Sequence, residues 1–372
     1  MRGDAQRARV VRELLTSALR DPVRVVELTP ARLDLLLRVA RRCRLLGRLA
    51  ADLRSLQLID ALPAVASDQL QSALVAAEAR QRVARWELDR VAWALEGMED
   101  VPVVALKGCA YVLAGLPNSS GRLFADIDLL VPEPDLTLVE ERLLGRGWQA
   151  KELTPYDERY YREWAHELPP LIHSERGVEL DLHHGILMRT ARLKPPSGML
   201  FETATPVPGT RHKVLAPVDM VLHAIVHLFY GGEMDDALRE LVDIDSLLRH
   251  FAGTEPGFWE RFVARAEALS LWRPAFYGLR YATQLLGTPV PANILQASMA
   301  GRTPAAARWL MDRLVPLSLF PQHPDHPNAG ADVARKLAYV RSHWVKMPPA
   351  KLIPHLARKA WVHRRLQSDQ HP

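Results

Sequence analysis

Cysteine is scarce in this chain. Cys43 and Cys109 are the two cysteines among 372 residues, which excludes a scaffold built on several disulfides and a zinc site of the Cys-x-x-Cys type. We therefore expect a protein of a reducing compartment, the cytoplasm. No apolar run is long enough to cross a bilayer, and the polar, arginine-rich N-terminus is not followed by an apolar segment. Neither a transmembrane span nor a secretion signal is predicted.

Three motifs of common enzyme classes are also missing. The chain contains no Gly-x-x-x-x-Gly-Lys-Ser/Thr loop, no Gly-x-Ser-x-Gly turn and no Gly-x-Gly-x-x-Gly segment after a strand. Their absence argues against P-loop ATPases, α/β-hydrolases and Rossmann dehydrogenases, because each class depends on that backbone geometry to hold its phosphate or nucleophile.

Apolar residues, by contrast, make up 48% of the sequence, which is ample for a core, and the length of 372 residues suggests two or three domains. Residues 1–97 and 216–372 carry apolar residues at helical spacing, whereas 98–215 contains short β-branched runs separated by turns. We expect a helical region, a β-containing core and a second helical region in that order. The net charge of +5 suits a phosphate-bearing substrate but does not require one.

The most informative segment is the run Ala-Asp-Ile-Asp-Leu-Leu-Val at 125–131. Side chains alternate across a strand, so Asp126 and Asp128 leave one face while Ile127 leaves the other. Acids are rare in a buried strand unless something pairs with them, and carboxylates together with phosphate oxygens commonly hold Mg²⁺. The alternative is an edge strand whose acids face solvent, which the apolar residues after Asp128 disfavour.

Two further segments would complete such a site. Leu-Lys-Gly-Cys at 106–109 follows a predicted buried strand at 101–106 and opens a helix. A glycine there lets backbone N–H groups approach a phosphate, or it closes a tight turn. A predicted hairpin at 168–184 ends in a strand whose Glu179, Asp181 and His183 share one face.

The position of that hairpin decides how many carboxylates the site would hold. If its second strand lies beside the first acidic strand, Asp181 joins the first two acids, with Glu179 as the alternative. Three carboxylates around metal ions would support in-line attack on a nucleotide α-phosphate. Otherwise these residues form the polar face of the hairpin, where simple alternation would put them.

At this point the sequence resembles the polymerase-β-like nucleotidyltransferase superfamily, and within it a bacterial family of uncharacterised nucleotidyltransferases. The resemblance rests on Leu-Lys-Gly at 106–108, on the Arg-x-x-x-Asp-Ile-Asp-Leu run that begins at Arg122, and on Asp-Leu-His at 181–183. It covers about 100–250, and the helical flanks fit the family layout. The superfamily usually has Ser or Gly at the position of Cys109.

The resemblance implies an α+β fold with a small mixed β-sheet nucleotidyltransferase core at 98–215. An N-terminal helical region (1–97) and a C-terminal helical domain with a basic tail (216–372) would flank it. The implied catalytic metal ligands are Asp126, Asp128 and Asp181, and the implied triphosphate cradle is Gly108 and Cys109. Lys107 and Arg122 would bind the same phosphates through their charge, or cap a surface and offset the acids.

Further candidate substrate contacts are Glu179, His183, His223, His227 and Arg239. His223 and His227 lie four residues apart on a predicted helix, a spacing that binds Zn²⁺ in some proteins but more commonly packs between helices. Arg239 alternatively forms an i,i+4 salt bridge with Asp243.

Nine lysine and arginine residues lie within 335–365 without an acid, interleaved with Trp344 and Trp361. Such a stretch would contact RNA, with the tryptophans stacked on bases, or rest on an anionic membrane. A set of solvated helical faces is the simpler interpretation, because the charges are spread along the whole stretch.

We therefore predict an enzyme that moves a nucleoside monophosphate from a nucleoside triphosphate, ATP by default, to an acceptor and releases pyrophosphate. Its cofactor would be Mg²⁺, with Mn²⁺ as the alternative. The acceptor is left open between a small molecule, a peptide or protein side chain and a tRNA end. Two alternatives remain: a toxin-like enzyme that modifies tRNA, and a catalytically degenerate nucleotide-binding or assembly module.

Overall fold

A mixed β-sheet lies between two helical regions in the computed structural model of the chain. The structure describes residues 2–124, 126–231, 237–299, 303–325, 329–356 and 358. The fold is α+β, in agreement with the sequence.

The N-terminal region is helical. Its helices are α1 (Arg2–Arg20), α2 (Pro30–Arg42), α3 (Leu46–Ser55) and α4 (Ala64–Ala94). One face of α4 is buried, with Leu70, Leu74, Leu88 and Val91 each at most 4% exposed, because these residues recur at helical spacing. Pro30 opens α2, where its missing N–H is not needed.

The central region alternates strands and helices. Its elements are β1 (Val104–Ala105), α5 (Lys107–Leu113), β2 (Asp126–Leu130), α6 (Leu136–Leu144), β3 (Trp148–Ala150), α7 (Pro155–Glu163), β4 (Leu171–His173), β5 (Glu179–His183), α8 (Gly198–Thr203), β6 (Thr205–Pro206) and β7 (Lys213–Val214). In the described part of the chain they form one seven-stranded sheet in the order β3-β4-β5-β2-β1-β7-β6. The predicted hairpin is confirmed, since β4 and β5 pair antiparallel. The first predicted strand, 101–106, is shorter than expected and pairs over two residues.

The parallel pairing of β2 with β5 positions the acids. Its register sets Asp126 opposite Glu179 and Asp128 opposite Asp181. The apolar residues that alternate with these acids are at most 1% exposed: Ile127, Leu129, Leu180 and Leu182. A slip of one residue in either strand would turn its acids into the core, so the apolar face fixes the register.

The C-terminal region is helical again. Its helices are α9 (Pro217–Tyr230), α10 (Ala237–Thr254), α11 (Phe258–Ala268), α12 (Trp272–Tyr281), α13 (Ala292–Met299), α14 (Ala305–Leu319) and α15 (Ala329–Lys346). Buried apolar residues form a continuous cluster from Val11 in α1 to Phe320 after α14. The division into 1–97, 98–215 and 216–372 stays a prediction. Among the helices that the structure describes, none is long and apolar enough to span a membrane.

The described part of the basic stretch 335–365 is used for packing inside the fold. The cations that donate to backbone carbonyls are Arg335, Arg341 and Lys346. The cations that lie over aromatic rings are Arg341, Lys351 and Arg358. These contacts favour packed helical faces over an open basic surface in this part. Lys359, Arg364 and Arg365 lie outside the described residues, and contact with RNA or a membrane stays a prediction.

Two glycines join α3 to the loop before β2 through their backbones. A Cβ on Gly47 would lie 2.3 Å from the carbonyl oxygen of Gly121, and Gly121 has a φ of +70°. Gly47 is thus required by space, and Gly121 by both space and conformation. Their contact fixes α3 against the loop that leads to Arg122.

We expect Gly47→Ala to lower the free energy of unfolding by about 2–4 kcal/mol, because the added methyl group meets backbone atoms that cannot rotate away. The matched control is Gly253→Ala in α10, where the added Cβ meets no atom within 4 Å beyond its chain neighbours and the backbone of its own helix, and alanine stabilises the helix by up to about 1 kcal/mol. Urea unfolding of both variants checks this. A Gly47→Ala protein as stable as the wild type would show that α3 does not contact the loop in this way.

Candidate active site

A cavity of about 690 Å³ lies where the acidic face of β2 and β5 meets α9, α10 and α15. The predicted site residues that line it are Lys107, Gly108, Arg122, Asp126, Asp128, Glu179, Asp181, His223, His227 and Arg239. His183 lies behind this wall at 2% exposure. The structure therefore brings together residues from the central and the C-terminal regions at one cavity of a size that suits a nucleotide-sized ligand.

Asp128 and Asp181 are the centre of the acidic group. Together with His183 they offer ligand atoms that all lie within 4.8 Å of one another. Asp128 is 2% exposed, whereas Asp126 lies at the exposed end of β2. Asp181, the expected third carboxylate, thus lies next to Asp128, because β5 lies directly beside β2.

Asp128 carries its negative charge inside the protein because two groups contact the same carboxylate oxygen. The Nζ of Lys107 lies 2.7 Å from Oδ1, and the Nε2 of His183 lies 3.1 Å from it. Burial alone would raise the pKa of Asp128, but Lys107 and His183 outweigh it and hold the pKa well below its usual range. Burial would likewise lower the pKa of Lys107, yet the pairing with Asp128 raises it, so the ammonium stays charged.

The conformation of Lys107 is unusual for a residue with a side chain. Its φ of +45° lies in the left-handed region, which costs a non-glycine residue on the order of 1 kcal/mol or more. The ion pair with Asp128 helps to hold this conformation at the start of α5. The side chain therefore enters the cavity wall instead of continuing along the surface.

The pKa values of Asp181 and Asp126 are shifted in the opposite direction to that of Asp128. Burial, followed by the charge of Asp128, raises the pKa of Asp181 to about 7. The same two causes raise the pKa of Asp126. Within the part of the chain that the structure describes, neither side chain enters an ion pair. Asp126 and Asp181 therefore lie beside the charged Asp128 without a cation of their own among the described residues, and a cation bound among the three would stabilise their ionised forms.

Arg122 joins the sheet region to α10. Its Nε donates to Oδ2 of Asp243 at 3.0 Å, and its guanidinium lies 5.5 and 5.4 Å from the ring centres of Tyr111 and Phe124. A Cβ on Gly108 would meet Nη1 of Arg122 at 2.4 Å, so this glycine makes room for the arginine. The guanidinium thus lies across the turn that was predicted to contact phosphates.

Cys109 does not line the cavity. It is 1% exposed, and its Sγ donates to the backbone carbonyl of Asp126 at 3.7 Å. Burial, reinforced by the charge of Asp128, raises the pKa of the thiol to about 12, so it stays protonated. Any contact of Cys109 with a nucleotide would have to use its backbone N–H.

The two histidines of α9 have different environments. His227 lies 3.1 Å from Oε1 of Glu240 on α10, an acid that sequence reasoning missed. His223 is buried, and this burial lowers its pKa well below the usual value, so the ring is neutral. The spacing of these histidines therefore serves the packing of α9 on α10 and also presents both rings to the cavity.

Sequence reasoning missed two further groups at the cavity. His166 and Glu167 precede β4, and their ligand atoms lie within 4.8 Å of those of His183. The other group lies on α15, where Tyr339, His343 and Lys346 line the opposite wall. Their i, i+4 and i+7 spacing along one helical face is a signal that could have found them. His166 and Glu167 had no such signal, because only the pairing with β5 brings them to the site.

Comparison with known proteins identifies a family. A sequence profile of a protein family described as uncharacterised nucleotidyltransferase matches residues 29–287. The matched range includes every residue of the acidic group and both histidines of α9. Searches of curated proteins and of solved structures returned no match.

We expect Asp181→Asn to stabilise the metal-free protein more at pH 8 than at pH 5. The pKa of Asp181 is raised in the folded state, to about 7, so its contribution to stability falls as the pH rises from the unfolded value and is lowest above pH 7. After allowance for solvent screening of this partly exposed carboxyl, the difference between the two pH values is about 1–2 kcal/mol. Urea unfolding in the presence of a chelator measures it.

Glu141→Gln is the control for this measurement, since Glu141 is an exposed acid on α6 and its replacement should change stability little at either pH. A larger stabilisation by Asp181→Asn at pH 5 than at pH 8 would contradict the assigned direction of the shift.

Proposed function

The chain belongs to the family described as uncharacterised nucleotidyltransferase, and from this premise we propose that it transfers a nucleoside monophosphate from a nucleoside triphosphate, ATP by default, to an acceptor hydroxyl. Pyrophosphate would be the second product, and Mg²⁺ the cofactor. The observation that carries the proposal is the parallel pairing of β2 with β5, which sets Asp128 beside Asp181 at the wall of the cavity.

The acidic group suits a hard divalent cation. Its carboxylates offer oxygen ligands, which Mg²⁺ and Mn²⁺ prefer, and burial with mutual repulsion raises the pKa of Asp126 and Asp181. Asp126, Asp128 and Asp181 would hold the cation, which would neutralise phosphate charge and lower the pKa of the attacking hydroxyl. Asp181 would also be the group that accepts the proton of that hydroxyl, since burial and the charge of Asp128 raise its pKa to about 7, which suits proton transfer near neutral pH.

Lys107 would bind phosphate oxygens of the triphosphate. Its ammonium is charged, lies at the cavity wall and contacts Asp128, so a phosphate bound beside that carboxylate would meet it. Gly108 lines the cavity next to Lys107. Its backbone N–H, with that of Cys109, would contact the same phosphates.

Arg122 would complete the triphosphate site. Its Nε is used by Asp243, and its Nη1 lies over Gly108, so the terminal N–H groups are next to the proposed phosphates. The contacts with Tyr111 and Phe124 hold the guanidinium plane in place before a ligand binds. Such preorganisation would lower the entropy lost on binding.

The acceptor would enter from the wall formed by α9, α10 and α15. The polar residues there that would contact it include His223, His227, Arg239, His343 and Lys346. This mixture of imidazole and cationic groups suits an acceptor with hydroxyl or acidic groups. A small molecule, a peptide or protein side chain and a tRNA end all meet that description.

We expect Asp126→Asn and Asp181→Asn each to lower nucleotidyl transfer at least about 100-fold, because each removes one negative oxygen ligand from the reacting centre. These two positions are preferable to Asp128, since Asp128→Asn would leave Lys107 buried without its partner and unfold the protein in part. The assay uses nucleoside triphosphates labelled at the α-phosphate, Mg²⁺ and a size-fractionated cell extract. Glu141→Gln serves as the control that retains activity.

The fraction that carries label would identify the class of acceptor, and label in the tRNA fraction alone would favour the tRNA-modifying alternative. No transfer by the wild type, together with no metal-dependent binding of nucleoside triphosphate, would overturn the proposal. The degenerate binding module would then be the better description.

A further inference from the structure

A second set of metal-ligand side chains lies next to the acidic group. The ligand atoms of His166, Glu167 and His183 all lie within 4.8 Å of one another. His166 and Glu167 line the cavity, and His183 lies behind them. The function proposed above assigns none of the three to the nucleotide or to Mg²⁺. His183 does contact Asp128, which is one of the proposed Mg²⁺ ligands.

The backbone holds these three side chains together before any ligand binds. Glu167 forms an isolated antiparallel bridge with His183. On either side of it, the N–H of His184 donates to the carbonyl of His166 at 2.9 Å, and that of Leu168 to the carbonyl of Leu182 at 2.9 Å. The segment before β4 is therefore fixed along the end of β5, so a ligand would not have to order it.

The two ring nitrogens of His183 differ in their contacts. Its Nε2 lies 3.1 Å from Oδ1 of Asp128, and since a carboxylate can only accept, the proton belongs on Nε2. The other ring nitrogen, Nδ1, is buried and has no hydrogen-bond partner. That atom is 3.3 Å from Oε2 of Glu167, within ion-pair distance but not in a direction that forms a hydrogen bond.

Nδ1 of His183 and Oε2 of Glu167 attract each other only through a positive charge between them, which a proton on the ring or a bound metal ion would supply. An unsatisfied buried nitrogen also costs about 1–3 kcal/mol. Two ligands about 2.1 Å from a tetrahedral metal ion are about 3.4 Å apart, close to the 3.3 Å between Nδ1 of His183 and Oε2 of Glu167. The 3.9 Å between Nε2 of His166 and the same Oε2 needs only a small rotation to match.

We propose that His166, Glu167 and His183 bind one Zn²⁺, in a site separate from the Mg²⁺ ligands Asp126, Asp128 and Asp181. Two imidazole nitrogens and one carboxylate oxygen are a donor set that borderline transition metals prefer over Mg²⁺. The fourth position of the ion would face the cavity that His166 and Glu167 line.

The proposed ion would connect the two sites through one side chain. A metal on Nδ1 of His183 fixes the proton on Nε2, where Asp128 accepts it. This is the carboxylate–histidine–metal arrangement, in which the carboxylate orients the ring and the ring in turn holds the carboxylate. The proposal goes beyond nucleotidyl transfer and does not depend on it.

The test is Zn²⁺ binding by the full chain after treatment with a chelator, followed by calorimetric titration in the presence of excess Mg²⁺. The wild type should bind one equivalent. His166→Ala should weaken binding at least about 100-fold, because it removes one of three protein ligands. His227→Ala, the matched control on α9, and Asp181→Asn, in the acidic group, should each stay within about threefold of the wild type.

Cobalt substitution gives a readout that a merely structural role of His166 would not produce. Co²⁺ in the wild type should show the visible absorption bands of a tetrahedral ion. His166→Cys should restore binding to a folded protein and add a thiolate-to-cobalt charge-transfer band, because sulfur would then be a ligand. Circular dichroism of each variant checks that it is folded.

Three results would overturn the proposal: no stoichiometric Zn²⁺ or Co²⁺ on the wild type, a folded His166→Cys protein without the charge-transfer band, or a loss of binding in Asp181→Asn equal to that in His166→Ala. The last result would assign the ion to the acidic group. Since no nucleotide is present, failure here leaves the proposed nucleotidyl transfer untouched.

Discussion

The register of β2 against β5 determines which side chains can meet at the cavity. Their buried faces carry apolar residues at every second position, and this face packs into the core. The opposite faces must then present Asp128 beside Asp181 and Asp126 beside Glu179. The carboxylates therefore meet because hydrophobic burial of their neighbours keeps the acids on the cavity face, and that burial offsets the repulsion among them.

The pKa shifts in the acidic group follow from the position of one cation, Lys107. Lys107 contacts Asp128 and not its neighbours, so adjacent carboxyl groups in similar surroundings have pKa values shifted in opposite directions. Because Asp128 is buried, this difference is larger than it would be in water. Burial and the charge of Asp128 raise the pKa of Asp126 by more than Arg122 lowers it, and the Nε of Arg122 is paired with Asp243. The acidic wall thus keeps an excess of negative charge, which is the condition under which divalent cations bind well.

Local sequence patterns predicted the parts of the site that depend on one element at a time. Alternation along a strand predicted the shared face of Asp126 and Asp128, and the hairpin predicted at 168–184 carries Asp181. What local patterns could not predict is which strand lies beside which. The partners of Arg122 and His227 on α10, and the approach of His166 to His183, arise from contacts between distant segments. The Arg239–Asp243 pair was considered from helical spacing alone, yet Asp243 accepts from Arg122. The role of each site residue stays a prediction.

The contact between Gly47 and Gly121 restricts the substitutions that these two positions can accept during evolution. Each glycine excludes a side chain on the other through backbone atoms, so neither position can accept another residue until α3 moves away from the loop. Moving α3 would free the segment that leads to Arg122 and β2. The two positions should thus covary: lineages keep both glycines, or lose both along with the present placement of α3. Gly47 and Gly121 are not part of the acidic group, yet they restrict which substitutions the protein can accept without moving the site.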